Sequence, residues 1–504
     1  MKRKTVVLIG ALALTLSGCS KDAVADSTTE TSEIIESTEQ VSETESLEPE
    51  TAEMAEISDT ETQTHEETEA EPEYDSFGDI LQVSVDEEGL ITLDMGEDEY
   101  AELMKSVDRY NADRSEELKS IEAQGNDDAF CKVNLHRADK YSLSFLAKNY
   151  IEDYEEGPRY QTFDTYNFDV ETGKQLALED ILTDTDQLDE IIKAQFEKYY
   201  SDETLDEQFF DNTVSENGYQ WVVSYQGITF YFPSEVLGEK EGTPIPVTIL
   251  FDEKPELFTE KCKDVPRAYV MDMDSKCQYL IDTDGDGDCE KISTLYNVGG
   301  YEEIIDAELM IDDRKTVGNL EAGMYNRFSR TYFVHTASDK NFVLIYSEGI
   351  YDMMGMYVSF DMSGDSDRID ESEYLYLRDR RITDPYDIKV NVFDFITEMT
   401  TYYGSQKMND KGMIVEDKEP VYTYSDVYAR AYQDIEAAIC DEQSGKPTDE
   451  KVMIKKEDKV QLISTDGHTW CNVRTEDNKI ARVTFDKFDI AEINGKVVFN
   501  LVHE

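Results

Sequence analysis

The stretch Asp282-Thr283-Asp284-Gly285-Asp286-Gly287-Asp288-Cys289-Glu290 carries residue types at a spacing fit for metal chemistry. A hard cation such as calcium takes roughly six to eight oxygens at ~2.3–2.6 Å. Carboxylates at the first, third and fifth loop positions converge only where the backbone bends sharply, and Gly287 at the sixth permits that bend. Asp288 offers its carbonyl at the seventh position and Glu290 falls at the ninth. The twelfth is Ser293, not the bidentate glutamate that closes a helix-loop-helix calcium site. The spacing therefore predicts calcium, structural in role, held by Asp282, Asp284, Asp286, Asp288 and Glu290. The plain alternative is an acidic solvated turn.

Signatures of catalysis are missing from the sequence. The histidines are His65, His136, His335, His468 and His503, and none forms an HExxH pair. There is no GxSxG elbow, no phosphate-binding glycine loop and no CxxC pair. Carboxylate pairs for glycoside cleavage could stand anywhere among so many acids. The reading leans away from an enzyme while leaving a wall-modifying hydrolase or deacetylase as the alternative.

The elements that must position the acidic loop read as β. Tyr279, Leu280 and Ile281 precede it and Ile292 and Leu295 follow, in the pattern of two strands. In that setting the loop resembles the calcium-binding hairpin loops of integrin-type propeller repeats, although a lone copy argues against a full propeller. A weaker acidic loop, Asp361 to Asp367, fits a metal poorly.

The chain start fixes an address. Lys2, Arg3 and Lys4 precede an apolar run from Val6 to Leu16, the layout of a secretory signal. Leu16-Ser17-Gly18-Cys19 resembles the lipobox of bacterial lipoproteins, which implies acylation of Cys19 and attachment to the outer face of the cell membrane. Residues 20–75 hold 20 acidic residues and one basic residue. Such a segment buries too little apolar surface to offset its chain entropy, so it is expected to be a disordered acidic tether.

Beyond the tether the expected fold is α+β. Residues 76–129 read as a hairpin (Leu81, Val83 and Val85 against Ile91 and Leu93) and a helix with the stripe Tyr100, Leu103, Met104, Val107 and Tyr110. Residues 130–260 read as an antiparallel sheet with a packed helix through Leu188, Ile191, Ile192 and Phe196, with Asp184 or Thr185 as its N-cap. Within this block Asn167-Phe168-Asp169, Thr172-Gly173-Lys174, Leu176-x-Leu178-x-Asp180-Ile181-Leu182 and Gly227-Ile228-Thr229-Phe230-Tyr231-Phe232 resemble a domain of unknown function. That domain is found in the extracytoplasmic part of the lysozyme-sensing anti-sigma factor RsiV and beside the catalytic domain of the deacetylase PdaC. The resemblance implies this fold and an extracellular setting, with lysozyme as one possible kind of partner. Residues 261–450 read as a β-rich region carrying the calcium loop. Two helical stretches are expected near its end, through Val392 to Met399 and Val427 to Ile439. Residues 451–504, with Trp470 and tight turns at Asp466-Gly467 and Asp477-Asn478, resemble a small bacterial SH3-like barrel.

The 504 residues carry 113 acidic and 47 basic side chains, a net charge of -66. So acidic a body repels phosphate backbones, which excludes nucleic acid, and repels anionic lipid, which leaves the lipid on Cys19 as the membrane contact. It attracts metal cations and basic proteins. Besides Cys19, the six cysteines are open to disulfides or to buried thiols. The expectation is a lipid-anchored surface protein that binds a wall glycan or a cationic protein such as lysozyme. A structural spacer remains the blander possibility.

Overall fold

In this computed structural model residues 80–501 are described, apart from short stretches that include 95–99, 124–128, 152–158, 299–302, 349–354, 363–367, 370–376 and 395–399. The signal segment, Cys19, the tether and most of the weaker acidic loop lie outside the described residues. Among these residues no helix is long and apolar enough to cross a membrane. The fold is mostly sheet with few helices.

The first layer forms because two periodicities meet. In the hairpin β1 (Val83–Val85) and β2 (Ile91–Leu93), Ser84 lies opposite Thr92. Alternation sends Val83, Val85, Ile91 and Leu93 inward. Helix α1 (Ala101–Glu122) brings Leu103, Val107 and Tyr110 to the same core. Both pack on the sheet β3 (Ala129–Ala138), β4 (Ser142–Ile151) and β5 (Arg159–Asp169). Strand β4 is covered on both faces, so its alternate side chains fill two interiors. Leu143, Phe145 and Ala147 join the core under α1, whereas Leu146 joins Val222 and Tyr231 of the next sheet.

The second layer packs helices on that next sheet. After the short α2 (Leu178–Ile181) come α3 (Leu188–Tyr199) and α4 (Glu207–Asn217), then β6 (Gln220–Val223), β7 (Gly227–Phe232) and β8 (Ile245–Leu250). Leu188, Ile192 and Phe196 of α3 share a core with Ile228, Phe230, Val247 and Ile249. Neither expected N-cap serves α3. The cap residue is Gln187 without a side-chain bond, and the Asp184 carboxylate accepts the amide of Asp186 instead.

Antiparallel strands make up the rest. One sheet runs through β9 (Tyr269–Met273), and a four-stranded meander begins with β10 (Gln278–Ile281) and β11 (Glu290–Val298) and continues in β12 (Glu303–Ile311) and β13 (Arg314–Tyr325). Then β14 (Arg330–His335), β15 (Asn341–Glu348) and β16 (Gly355–Asp361) return to pair beside β9. This last sheet is buried on both faces. Phe333, Val343, Ile345 and Phe360 pack toward the meander, while Tyr332, Val334, Leu344 and Tyr357 pack toward the C-terminal strands.

Two expectations are corrected here. Where the stretches expected as helices are described, they are strands: Val392 lies in β17 (Ile388–Asp394), which pairs with β18 (Thr400–Met408), while 395–399 lie outside the described residues, and the later stretch forms Tyr428–Ala431 and Ile435–Cys440. Val427, Ala431, Ile435 and Ile439 recur every four residues, a spacing that suits a helical stripe and, being even, also one face of a strand. Nor do residues 451–504 close into a small SH3-like barrel. Their strands Lys459–Thr465, Trp470–Arg474 and Ile480–Thr484 sit inside one eleven-stranded sheet that starts at β17 and includes Tyr422–Tyr424, Ile435–Cys440 and Pro447–Ile454. The 450/451 boundary falls within the strand Pro447–Ile454.

Candidate metal centre

The acidic loop is the connection between β10 and β11, whose register pairs Ile281 with Glu290. Three of the five expected ligands converge: carboxylate oxygens of Asp282, Asp284 and Glu290 all lie within 4.8 Å of one another. Oxygens at ~2.4 Å from a shared cation stand no farther apart than that, so the trio suits calcium in both spacing and donor type. The carboxylates of Asp286 and Asp288 lie outside this trio, whereas the donor expected of Asp288 is its carbonyl. Asp286 accepts the amide of Asp288 at 2.9 Å, and Asp288 pairs with Lys198 at 2.5 Å.

The loop is shaped from within by its own acids. Asp282 accepts the amides of Gly285 (2.7 Å) and Gly287 (3.0 Å), and both glycines take positive φ. Glu290 accepts the Thr283 amide at 2.8 Å and its hydroxyl at 2.6 Å. Burial pushes the carboxyls of both Asp282 and Glu290 above the ordinary range, and the charge of Asp284 adds to it. The amide and hydroxyl donors offset part of that rise. A divalent ion among the three would relieve the repulsion.

From outside, three elements clamp the loop. Gln226, before β7, accepts the Asp282 amide at 3.1 Å and donates to the Asp282 carbonyl at 2.7 Å. Asn341 of β15 donates to the Thr283 carbonyl at 2.8 Å. From α3, Tyr199 accepts the Cys289 amide at 3.0 Å beside the Lys198–Asp288 pair. These supporting residues have no signature in the sequence, because each lies more than fifty residues from the loop and belongs to no motif.

A second polar cluster, also invisible in the sequence, lies between β4 and the segment before β10. Lys148 is fully buried, 2.8 Å from Asp274 and 3.2 Å from the Cys277 sulfur. Burial alone would raise the Asp274 carboxyl, but Lys132 and Lys148 beside it hold it far below the carboxylate range. Nearby, His136 Nε2 lies 3.0 Å from the Tyr231 hydroxyl, and burial with the Lys148 charge lowers its pKa to about 3. Asp272, paired with Arg381, accepts the Leu135 amide at 2.9 Å. Each acid here is matched by a cation, an arrangement that staples β3 and β4 to the β9 region. The cysteines Cys131, Cys262, Cys277, Cys289 and Cys440 are free thiols, all buried.

No known family's sequence pattern matches the chain, and no curated protein matches it. Among solved structures the chain is similar to a DUF3298 family member from Bacteroides fragilis, at 16% identity over 31% of this chain and 67% of that one, with a TM-score of 0.21. It is also similar to a DUF3298 family protein from Pseudomonas aeruginosa, at 12% identity over 37% of this chain and 97% of that one, with a TM-score of 0.25. At such scores no site or ligand is carried over from them.

Proposed function

We propose that this protein is anchored through a lipid on Cys19 to the outer face of the cell membrane, where it binds a wall glycan or a cationic protein such as lysozyme. Calcium would hold its β10–β11 hairpin in shape. The observation that carries the calcium part is the convergence of Asp282, Asp284 and Glu290 on one point of a clamped turn. The net charge of -66 supports the choice of a cationic partner. The metal's role in this reading is structural: it cancels charge within the hairpin that contacts α3, Gln226 and β15.

Co-sedimentation tests the reading. Residues 76–504 are mixed with purified cell wall, and separately with lysozyme beads, in calcium and then in chelator. Retention that resists moderate salt is the expected result, and its loss in chelator ties binding to the hairpin. Failure to bind either material would sink the binding reading. An altered muropeptide chromatogram would replace it with an enzyme. For the anchor, Cys19→Ala moves the protein from the membrane fraction to the soluble one.

A further inference from the structure

Between the N-terminal hairpin and residues 378–389 lies a cavity of about 240 Å³. One wall is the outward face of β1 and β2. The same alternation that buries Val83 and Leu93 turns Gln82, Ser84, Thr92 and Asp94 toward the opening. The other wall carries three cations, Arg378, Arg381 and Lys389, in a chain whose net charge is -66.

The three cations are not equally engaged. Lys389 lies 2.7 Å from both oxygens of Asp387, which closes that pair. Arg381 gives one terminal nitrogen to Asp272 and the other to the Val133 carbonyl at 3.0 Å. Its Nε, on a side chain 1% exposed, has no hydrogen-bond partner among the described residues. An unpaired buried donor is unfavourable, and Arg381 is among the residues that line this cavity. Arg378 is exposed, stacks 4.6 Å over the Tyr403 ring, and has no carboxylate partner among the described residues. Guanidinium groups recognise planar oxyanions, carboxylates above all. On the opposite wall the Ser84 and Thr92 hydroxyls and the Asp94 carboxylate suit the hydroxyls of a ligand, and Asp94 disfavours a polyanion.

We propose that this cavity binds a small hydroxylated carboxylate of monosaccharide size, its carboxylate toward Arg378 and Arg381 Nε and its hydroxyls toward Ser84, Thr92 and Asp94. The volume falls just under the ~300 Å³ at which drug-sized pockets begin, which leaves room for one sugar unit. None of the residues lining this cavity belongs to the acidic hairpin.

The test titrates the full chain with D-glucuronate, D-glucose and inorganic phosphate, followed by ligand-observed NMR. Saturable binding of glucuronate is expected, with glucose and phosphate each at least about tenfold weaker. Arg378→Gln should weaken glucuronate by about tenfold, and Thr92→Trp should fill the cavity and remove binding while the thermal melt stays unchanged, since both positions are exposed. A second arm with an oligosaccharide ending in glucuronate separates a free acid from a chain end, and binding in either arm supports the site. Equal binding of glucose and glucuronate, insensitivity to both substitutions, or no saturation by any probe would overturn it.

Discussion

Lys148 shows how single side chains in this protein are committed. It is fully buried with Asp274 and the Cys277 sulfur as neighbours. Removing one member of a buried pair strands the other charge at a cost of about 3–5 kcal/mol, whereas replacing both with apolar groups of similar volume is far milder. Lys148→Met should therefore lower stability in urea melts, by less than that amount because Lys132 stays 3.4 Å from Asp274, and Lys148→Met with Asp274→Leu should recover part of the loss. Equal losses would show that the pair adds nothing beyond packing. His136 gives a pH dependence. Its folded pKa is down to about 3, against an unfolded value of 6.5. The unfolded chain thus takes up the proton first, and the contribution to stability is complete above pH 6.5 and is lost as pH falls toward about 3. The slope is about 1.4 kcal/mol per pH unit in that window. His136→Gln retains a partner for Tyr231 and should lose this slope, so the stability of the native chain relative to the variant must fall as pH drops from about 7 to 5. At the hairpin, calcium should raise the melting temperature, with ~2.7 kcal/mol of stabilisation at free calcium 100-fold above Kd. Substituting Asp282, Asp284 and Glu290 with Ala should abolish the rise, and a rise that survives would place the ion elsewhere.

At the scale of elements, the residues that carry the family resemblance turn out to be joints. The two sheets β3–β5 and β6–β8 share no backbone ladder, and Asn167 joins them: its amide donates to the Trp221 carbonyl at 2.7 Å and accepts the Val223 amide at 3.0 Å. Gly173 takes φ +66°, and a Cβ there would lie 2.2 Å from the Glu102 carbonyl oxygen of α1, while Ser106 of the same helix donates to its carbonyl at 2.6 Å. Gly173→Ala should therefore push α1 off the sheet and cost more than the ~1 kcal/mol of an ordinary positive-φ exchange. Asn167→Leu should cost about 1–3 kcal/mol for the two backbone groups it leaves unpaired. Guanidinium melts of the two variants check both figures. Legibility in the sequence follows from this. The first hairpin, α1 and α3 are readable because each has a single period and an exposed face, whereas Tyr279, Leu280 and Ile281 before the acidic loop are legible as a continuous apolar run buried on both sides. The C-terminal strands are not, because a four-residue spacing satisfies helix and strand alike and only long-range pairing decides between them. For the metal loop, the spacing of acids pointed to five ligands. That three of the carboxylates converge is a property of the folded hairpin, and the Lys198–Asp288 pair, across ninety residues, holds the Asp288 carboxylate rather than its carbonyl.

At the scale of the whole molecule, the main C-terminal strands belong to a sheet shared with earlier residues. The strand Lys459–Thr465 pairs on its far side with Tyr422–Tyr424 and Tyr428–Ala431, and Ile480–Thr484 pairs with Ile435–Cys440. Val334, Leu344 and Tyr357 of the neighbouring sheet complete the same core. Residues 451–504 expressed alone should be unfolded by circular dichroism, since most of their apolar surface has its cover elsewhere in the chain. A cooperative melt from that fragment would contradict this account.

The buried thiols give the molecule an internal set of clocks. Cys131 lies under α1, Cys262 and Cys277 flank β9, Cys289 closes the acidic hairpin and Cys440 sits in the C-terminal sheet. Burial pushes all five above the ordinary thiol range, Cys131 to about 11, so each stays inert to an alkylating reagent until its own region opens. A timed pulse of reagent followed by peptide mass mapping would then return five separate opening rates from one unmodified chain. If calcium acts where the carboxylates converge, the rate at Cys289 slows first.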